Sequence, residues 1–219
     1  MSVEFTPLLL EPAYRKVAAR IGERILSRAL RELESRGLVQ RRPGSKLMSV
    51  SRPHHQAVAA GVSHALLLHD VTVRNVWEAL TILEPPLAEA AARARSAADL
   101  ECVTAAADAF SGQRASAAQA VRCTAEFFRC IGRATHNPVL GLAQEPLLQL
   151  LEPSLGVMID KVPQARARIA TAQRRLTEAL GARDHQAAHE WMARHIRDFR
   201  RGYELAGIDL ELRVAAGEM

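Results

Sequence analysis

The stretch Ser27-Arg-Ala-Leu-Arg-Glu-Leu-Glu-Ser-Arg-Gly-Leu-Val-Gln-Arg-Arg-Pro-Gly-Ser-Lys-Leu-Met-Ser-Val50 changes character partway along. Its first part reads as a helix: Leu30 and Leu33 form the apolar side, and Gly37 is a good stop. Leu38-Val-Gln-Arg-Arg42 and Leu47-Met-Ser-Val50 then flank Pro43-Gly-Ser-Lys46, two short extended runs around a turn. That pattern predicts a β-hairpin with Arg41, Arg42 and Lys46 at its tip. A helix followed by a cationic hairpin is what a "wing" needs: its charges sit beside phosphates or reach into a narrow minor groove.

Toward the N-terminus, Pro12-Ala13 opens a first helix, with Tyr14, Val17, Ile21 and Ile25 on one stripe. Ser27 begins a second. Residues 1–52 therefore read as one incomplete winged-helix domain, and 53–68, with Ser, Pro, His and Gly in no clear period, as a linker. Residues 69–208 read as helical almost throughout. Val73 to Arg95 is one helix, bent at Pro85-Pro86, which lack donor N–H groups. Ser96-Ala-Ala-Asp99 resembles a capping box. Asn137-Pro138 supplies an N-cap and a first helical residue, and Asp184 caps the last helix. Residues 209–219 are left as a tail. The fold class expected is all-α: a truncated winged-helix segment with a small hairpin, then an antiparallel bundle of about six or seven helices.

Charge supports the division. Residues 1–52 hold 11 Lys/Arg against 5 Asp/Glu, a net of +6, and the remainder holds 18 against 19, a net of −1. A basic module on a near-neutral one points to an anionic partner, with DNA the first candidate. No run of about 18 uncharged apolar residues exists to span a membrane, and the N-terminus does not read as a signal peptide. A cytoplasmic location is expected, with Cys102, Cys123 and Cys130 reduced and no membrane partner. An enzyme is not expected: there is no Gly-rich phosphate loop after a strand, no nucleophile elbow and no pair of inward carboxylates. His185 and His189 have the i, i+4 spacing of zinc sites, but the pattern offers no third ligand, and they read as surface histidines.

Ala29 to Gly44 resembles the end of the DNA-binding domain of GntR-family bacterial regulators, and Tyr14-Arg-Lys-Val17 with Ile21 resembles its first helix. Residues 71–205 resemble the FCD-type effector domain of the FadR subfamily. The residues that carry this are Trp77-Glu-Ala-Leu-Thr-Ile-Leu-Glu84, Phe127, Ile131, Asn137-Pro-Val-Leu140, Leu176, Leu180, Asp184 and His195-Ile196. The resemblance implies a ligand-responsive transcription regulator: a homodimer on a palindromic operator, with a small-molecule effector such as an organic acid. It also implies phosphate contacts from Arg28, Arg31, Arg41, Arg42 and Lys46.

Two departures stand out. The family has a second helix and the start of a recognition helix where Leu26 here runs directly into Ser27. An alternative is therefore a DNA-incompetent sensor and dimerisation protein derived from such a regulator. The family's metal site of one Asp and three His falls on Thr124, Phe128, Gln173 and His195, so only His195 keeps a ligand type. These four positions become the candidate effector pocket, with no family-type metal and no other cofactor expected. A helical-bundle metalloenzyme is the third reading. Arg129 and Arg133, on the helix of Thr124, are candidate clamps for an anionic effector.

Overall fold

The computed structural model describes residues 12–35, 39–41, 44, 47–50, 55–111 and 116–214. It divides the chain into two units, Met1–Ala57 and Val58–Met219.

The first unit holds α1 (Pro12–Ser35) and an antiparallel hairpin of β1 (Val39–Arg41) and β2 (Met48–Val50). The register pairs Val39 with Val50 and Arg41 with Met48. Gly44 stands in the loop at φ 72°, a conformation open to glycine at little cost. The hairpin lies where the sequence predicts it. The two separate helices expected on either side of Leu26 are instead one: α1 runs unbroken through Leu26 and Ser27. Neither Gly nor Pro stands at that junction, and the flanking residues are good helix formers, so nothing stops propagation. On the apolar stripe of α1, Ile21 and Ile25 are more than half exposed, at 52% and 64%.

The second unit is the bundle. Most of α2 (His55–Leu67) belongs to it, so the span 53–68 that reads as a linker is largely helical. Ala59 and Ser63 are buried, and Ser63 donates to the Gln149 side chain at 2.9 Å. Six longer helices follow: α3 (Val73–Ala94), α4 (Ala97–Ser111), α5 (Ala117–Ala134), α6 (Pro138–Lys161), α7 (Pro163–Ala182) and α8 (His185–Leu205). The expected caps form. Ser96 accepts from the Asp99 amide while Asp99 accepts from the Ser96 amide, Asn137 accepts from the Val139 amide, and Asp184 accepts from the Ala187 amide. Thr72 and Asn75 add a reciprocal capping box on α3 that is not among those expected from the sequence. α3 continues through Pro85 and Pro86. Its residues Val73, Val76, Leu80, Leu87 and Ala91 face the core at helical spacing.

α3 and α8 pack along most of their length, and the Trp77 indole donates to the Ile196 carbonyl at 2.9 Å. The core is aliphatic with a few large rings: Phe127, Phe128, Phe199 and Tyr203 are fully buried. Residues 209–214, read as part of a tail, pack on the bundle. Leu210 is buried, Thr72 bridges Arg213, and the Val214 amide donates to Val71 at 2.9 Å. Cys102 of α4 and Cys130 of α5 form a disulfide, contrary to the expectation of reduced thiols, and Cys123 is free. The two cysteines lie on adjacent packed helices, a proximity that their spacing in sequence does not reveal.

Candidate functional site

Four side chains from three helices meet the interior of the bundle: Thr124 and Phe128 from α5, Gln173 from α7 and His195 from α8. Each is at most 1% exposed. The Phe128 ring lies flat on the His195 imidazole, centroids 5.6 Å apart and planes 7° apart, and Phe199 flanks that imidazole at 4.7 Å. Burial drives the His195 pKa down to about 3, so the ring is neutral at physiological pH.

Their polar atoms fare differently. The Thr124 hydroxyl donates to the Ala120 carbonyl one turn back, at 2.9 Å, and is satisfied. The Gln173 amide is not: neither its nitrogen nor its oxygen has a hydrogen-bond partner. His195 Nε2 is likewise without one. An unmet buried polar group costs about 1–3 kcal/mol. Three such atoms on inward positions are a concentration of cost that a bound group with its own donors and acceptors would offset. Beside His195 lies a cavity of about 10 Å³, lined by Met158, Ile169, His195, Phe199 and Gly202, with Arg168 and Asp198 as its charged members. It holds about one water as folded, so anything larger requires side chains to move.

A second buried polar group touches this site from behind. The Gln144 amide of α6 donates to both Glu84 carboxylate oxygens at 3.1 Å and to the Phe128 carbonyl at 3.2 Å. Burial raises the Glu84 pKa to about 8, against the opposing pull of the Gln144 hydrogen bond. Gly132 makes room for the Gln144 head, because a Cβ there would stand 2.3 Å from Gln144 Oε1. Sequence reasoning did not single out Gln144. The signal was available: Gln144 shares a stripe with Leu148, Leu151 and Leu155, and a polar residue among leucines on an inward face needs a partner.

A family model described as FCD domain matches residues 75–198. The chain belongs to the FCD domain family. The match spans all four inward positions and agrees with the resemblance read from the sequence. Among solved structures the chain is similar to Streptococcus agalactiae GntR, at 19% identity and a TM-score of 0.55 over 79% of this chain and 78% of that one. That likeness establishes a shared fold. No curated protein matches the sequence.

The metal that the resemblance associates with FCD domains does not fit these residues. Phe128 brings a ring face where a ligand would stand and stacks on the one imidazole. Thr124 is committed to its own helix, and Gln173 offers a neutral amide. One neutral imidazole with such neighbours is too poor a donor set for a divalent ion. Among the described residues, Cys102, Glu126 and Cys130 also bring ligand atoms within 4.8 Å of one another, but the two sulfurs are bonded to each other.

The arginines suggested as clamps are engaged elsewhere. Arg129 grips Glu145, with contacts of 2.7 and 2.8 Å, and reaches Glu152 at 3.2 Å, while Arg133 pairs with Glu126 at 2.6 Å. In the N-terminal unit, Arg28 and Arg31 are exposed on α1 and Arg41 is exposed on β1. Arg42 and Lys46 lie outside the described residues. No helix among the described residues is long and apolar enough to cross a membrane.

Proposed function

We propose that this FCD-domain chain is a ligand-responsive DNA-binding transcription regulator whose helical bundle senses a small molecule at Thr124, Phe128, Gln173 and His195. The observation that carries the sensing half is the orphaned Gln173 amide together with the unpartnered His195 Nε2, both buried inside the bundle. A folded protein rarely leaves such atoms unmet without a role for them. A small organic acid suits the site: the amide N–H and the imidazole N–H both donate to a carboxylate oxygen, and Arg168 on the cavity wall supplies a cation. Binding would require Phe128 to move off His195. A ligand that favours the opened packing over the closed one shifts the balance between the two, which is all that effector control needs. The basic first unit supports the DNA half, with Arg28, Arg31, Arg41, Arg42 and Lys46 as phosphate contacts. A homodimer on a two-fold operator completes this reading.

One observation favours the second reading, a sensor and dimerisation protein without a DNA reader. Helix-turn-helix recognition needs two helices joined by a turn, and α1 is a single unbroken helix with Ile21 and Ile25 exposed. A mobility-shift titration of the full chain, on DNA from its own upstream region and on unrelated DNA, separates the two. A regulator favours the first DNA and loses affinity when Arg28 and Arg31 become Ala. Equal, weak binding to both DNAs that vanishes with salt leaves the sensor reading in place.

A further inference from the structure

Cys102 of α4 and Cys130 of α5 meet where the two helices pack, and their sulfurs are joined. One cation stands against both: Arg133 Nη2 lies 3.2 Å from Cys102 Sγ and 3.1 Å from Cys130 Sγ. The same nitrogen lies 2.6 Å from Glu126 Oε1, and that oxygen lies 3.8 Å from Cys130 Sγ. Cys102 is half-buried and Cys130 is buried. We propose that Cys102 and Cys130 are a reversible thiol–disulfide switch, open to exchange with small-molecule disulfides and thiols, in which Arg133 holds the reactive sulfur as a thiolate.

The thiolate, not the thiol, attacks a disulfide and leaves from one, and a neighbouring guanidinium favours it. Cys102 is the sulfur of the pair that solvent reaches, so it meets an incoming disulfide, RSSR, first. Its thiolate attacks one sulfur of RSSR. A Cys102–SR bond forms, the S–S bond of the reagent breaks, and RS⁻ departs. Cys130 then gives its proton to Glu126 and attacks the Cys102 sulfur, which expels the second RS⁻. The two protons lost by the cysteines end on the two RS⁻. Two protein thiols are thereby oxidised by two electrons, and one RSSR is reduced to two RSH. Reduction of the pair by RSH runs the same steps backward.

Both redox states suit the fold. Val103, Ala107 and Phe110 of α4 and Ala120, Phe127 and Ile131 of α5 belong to one core, so the two helices stay seated when the bond opens. The opened pair also keeps its partners: Arg133 for a thiolate, and Glu126 as acceptor for the Cys130 thiol. Closing the bond joins positions 28 apart in sequence and ties α4 to the helix that carries Thr124 and Phe128. Cys123 stays free. The switch is separate from the inward pocket and does not rest on the effector reading.

Equilibrating the full chain in mixtures of reduced and oxidised glutathione tests it, with free thiols then capped by a maleimide under denaturing conditions and counted by intact mass. Two thiols should appear and vanish together as the mixture changes, with the same result from either starting state. Cys123→Ser should keep this paired change, and Cys102→Ser and Cys130→Ser should each lose it. A bond that survives every mixture, a pair that never closes, or a paired change that persists in Cys102→Ser overturns the proposal. Arg133→Gln should slow closure by oxidised glutathione about tenfold and lower the ultraviolet thiolate absorbance of the reduced chain, and Arg133→Lys should restore both. Closure in Arg133→Gln as fast as in wild type, with helicity unchanged, overturns the part assigned to Arg133.

Discussion

Gln144 holds both oxygens of the Glu84 carboxyl in the dry centre of the bundle, at 3.1 Å each. Burial moves the Glu84 pKa from 4.5 to about 8, so the folded chain keeps a proton that the unfolded chain loses. Stability from this group is full below the ordinary carboxylate range and declines as pH rises toward about 8. The slope is at most about 1.4 kcal/mol per pH unit. Urea unfolding from pH 5 to 9 should therefore give a falling curve for the wild type and a flatter one for Glu84→Gln. Parallel curves would mean that Glu84 is ionised in the fold.

His195 works on the opposite limb. Its folded pKa, about 3, lies below the ordinary 6.5, so acid favours the unfolded chain, which takes up the proton first. Stability should rise with pH between those values and be lost on acidification through them. His195→Phe should remove that acid-side dependence in the same unfolding series, while a slope unchanged from wild type would place the proton elsewhere.

Gln173 should be stabilising to lose. Its amide has no partner, so Gln173→Leu removes an unmet polar group and keeps the volume. Thermal and urea unfolding should show a gain of about 1–3 kcal/mol. In a thermal-shift screen of small organic acids, the same variant should lose any response that the wild type displays. A Gln173→Leu chain less stable than wild type would mean that the amide is satisfied in solution.

Gly132→Ala should cost stability out of proportion to one methyl group. The added carbon would force the Gln144 head aside and break its hold on Glu84, for a loss of about 1–3 kcal/mol by chemical denaturation. Ala at Gly156, inside α6, where a Cβ would meet only ordinary contact, serves as the control and should gain up to about 1 kcal/mol from helix propensity.

Two arginines cap each other's helices. Arg95, just past α3, donates to the Leu180 and Gly181 carbonyls near the end of α7, at 2.9 and 2.6 Å. Arg183, just past α7, donates to the Arg93 and Arg95 carbonyls, at 2.9 and 2.8 Å. Arg95→Ala should cost about 1 kcal/mol or more by urea unfolding, because it strands partly buried carbonyls. Arg183 sits at φ 54°, where glycine is at ease, so Arg183→Gly should cost less than Arg183→Ala.

Local signals were legible along the chain wherever a few adjacent residues decide the outcome. Asn137-Pro138, Asp184 and the Pro43-Gly44 turn each act within one or two peptide units, and the caps and the hairpin lie where those residues put them. Helical periodicity put Thr124, Phe128, Gln173 and His195 on inward faces, because a residue's face follows from its own helix. The junction at Leu26 and Ser27 misled: the motif boundary suggested two helices, but helix propagation depends on local propensity and not on where a motif begins.

By itself the sequence determined the all-helical class, the basic hairpin unit, the bundle and the identity of the inward side chains, since composition, charge and period are properties of short stretches. Only the tertiary structure decided which distant groups meet. It set Phe128 on His195, Gln144 on Glu84, Cys102 on Cys130 and Glu89 against His185 and His189. It also turned Arg129 and Arg133 toward carboxylates. These pairings depend on the relative rotation and offset of packed helices, which the summed packing of the whole bundle sets and no single stretch encodes.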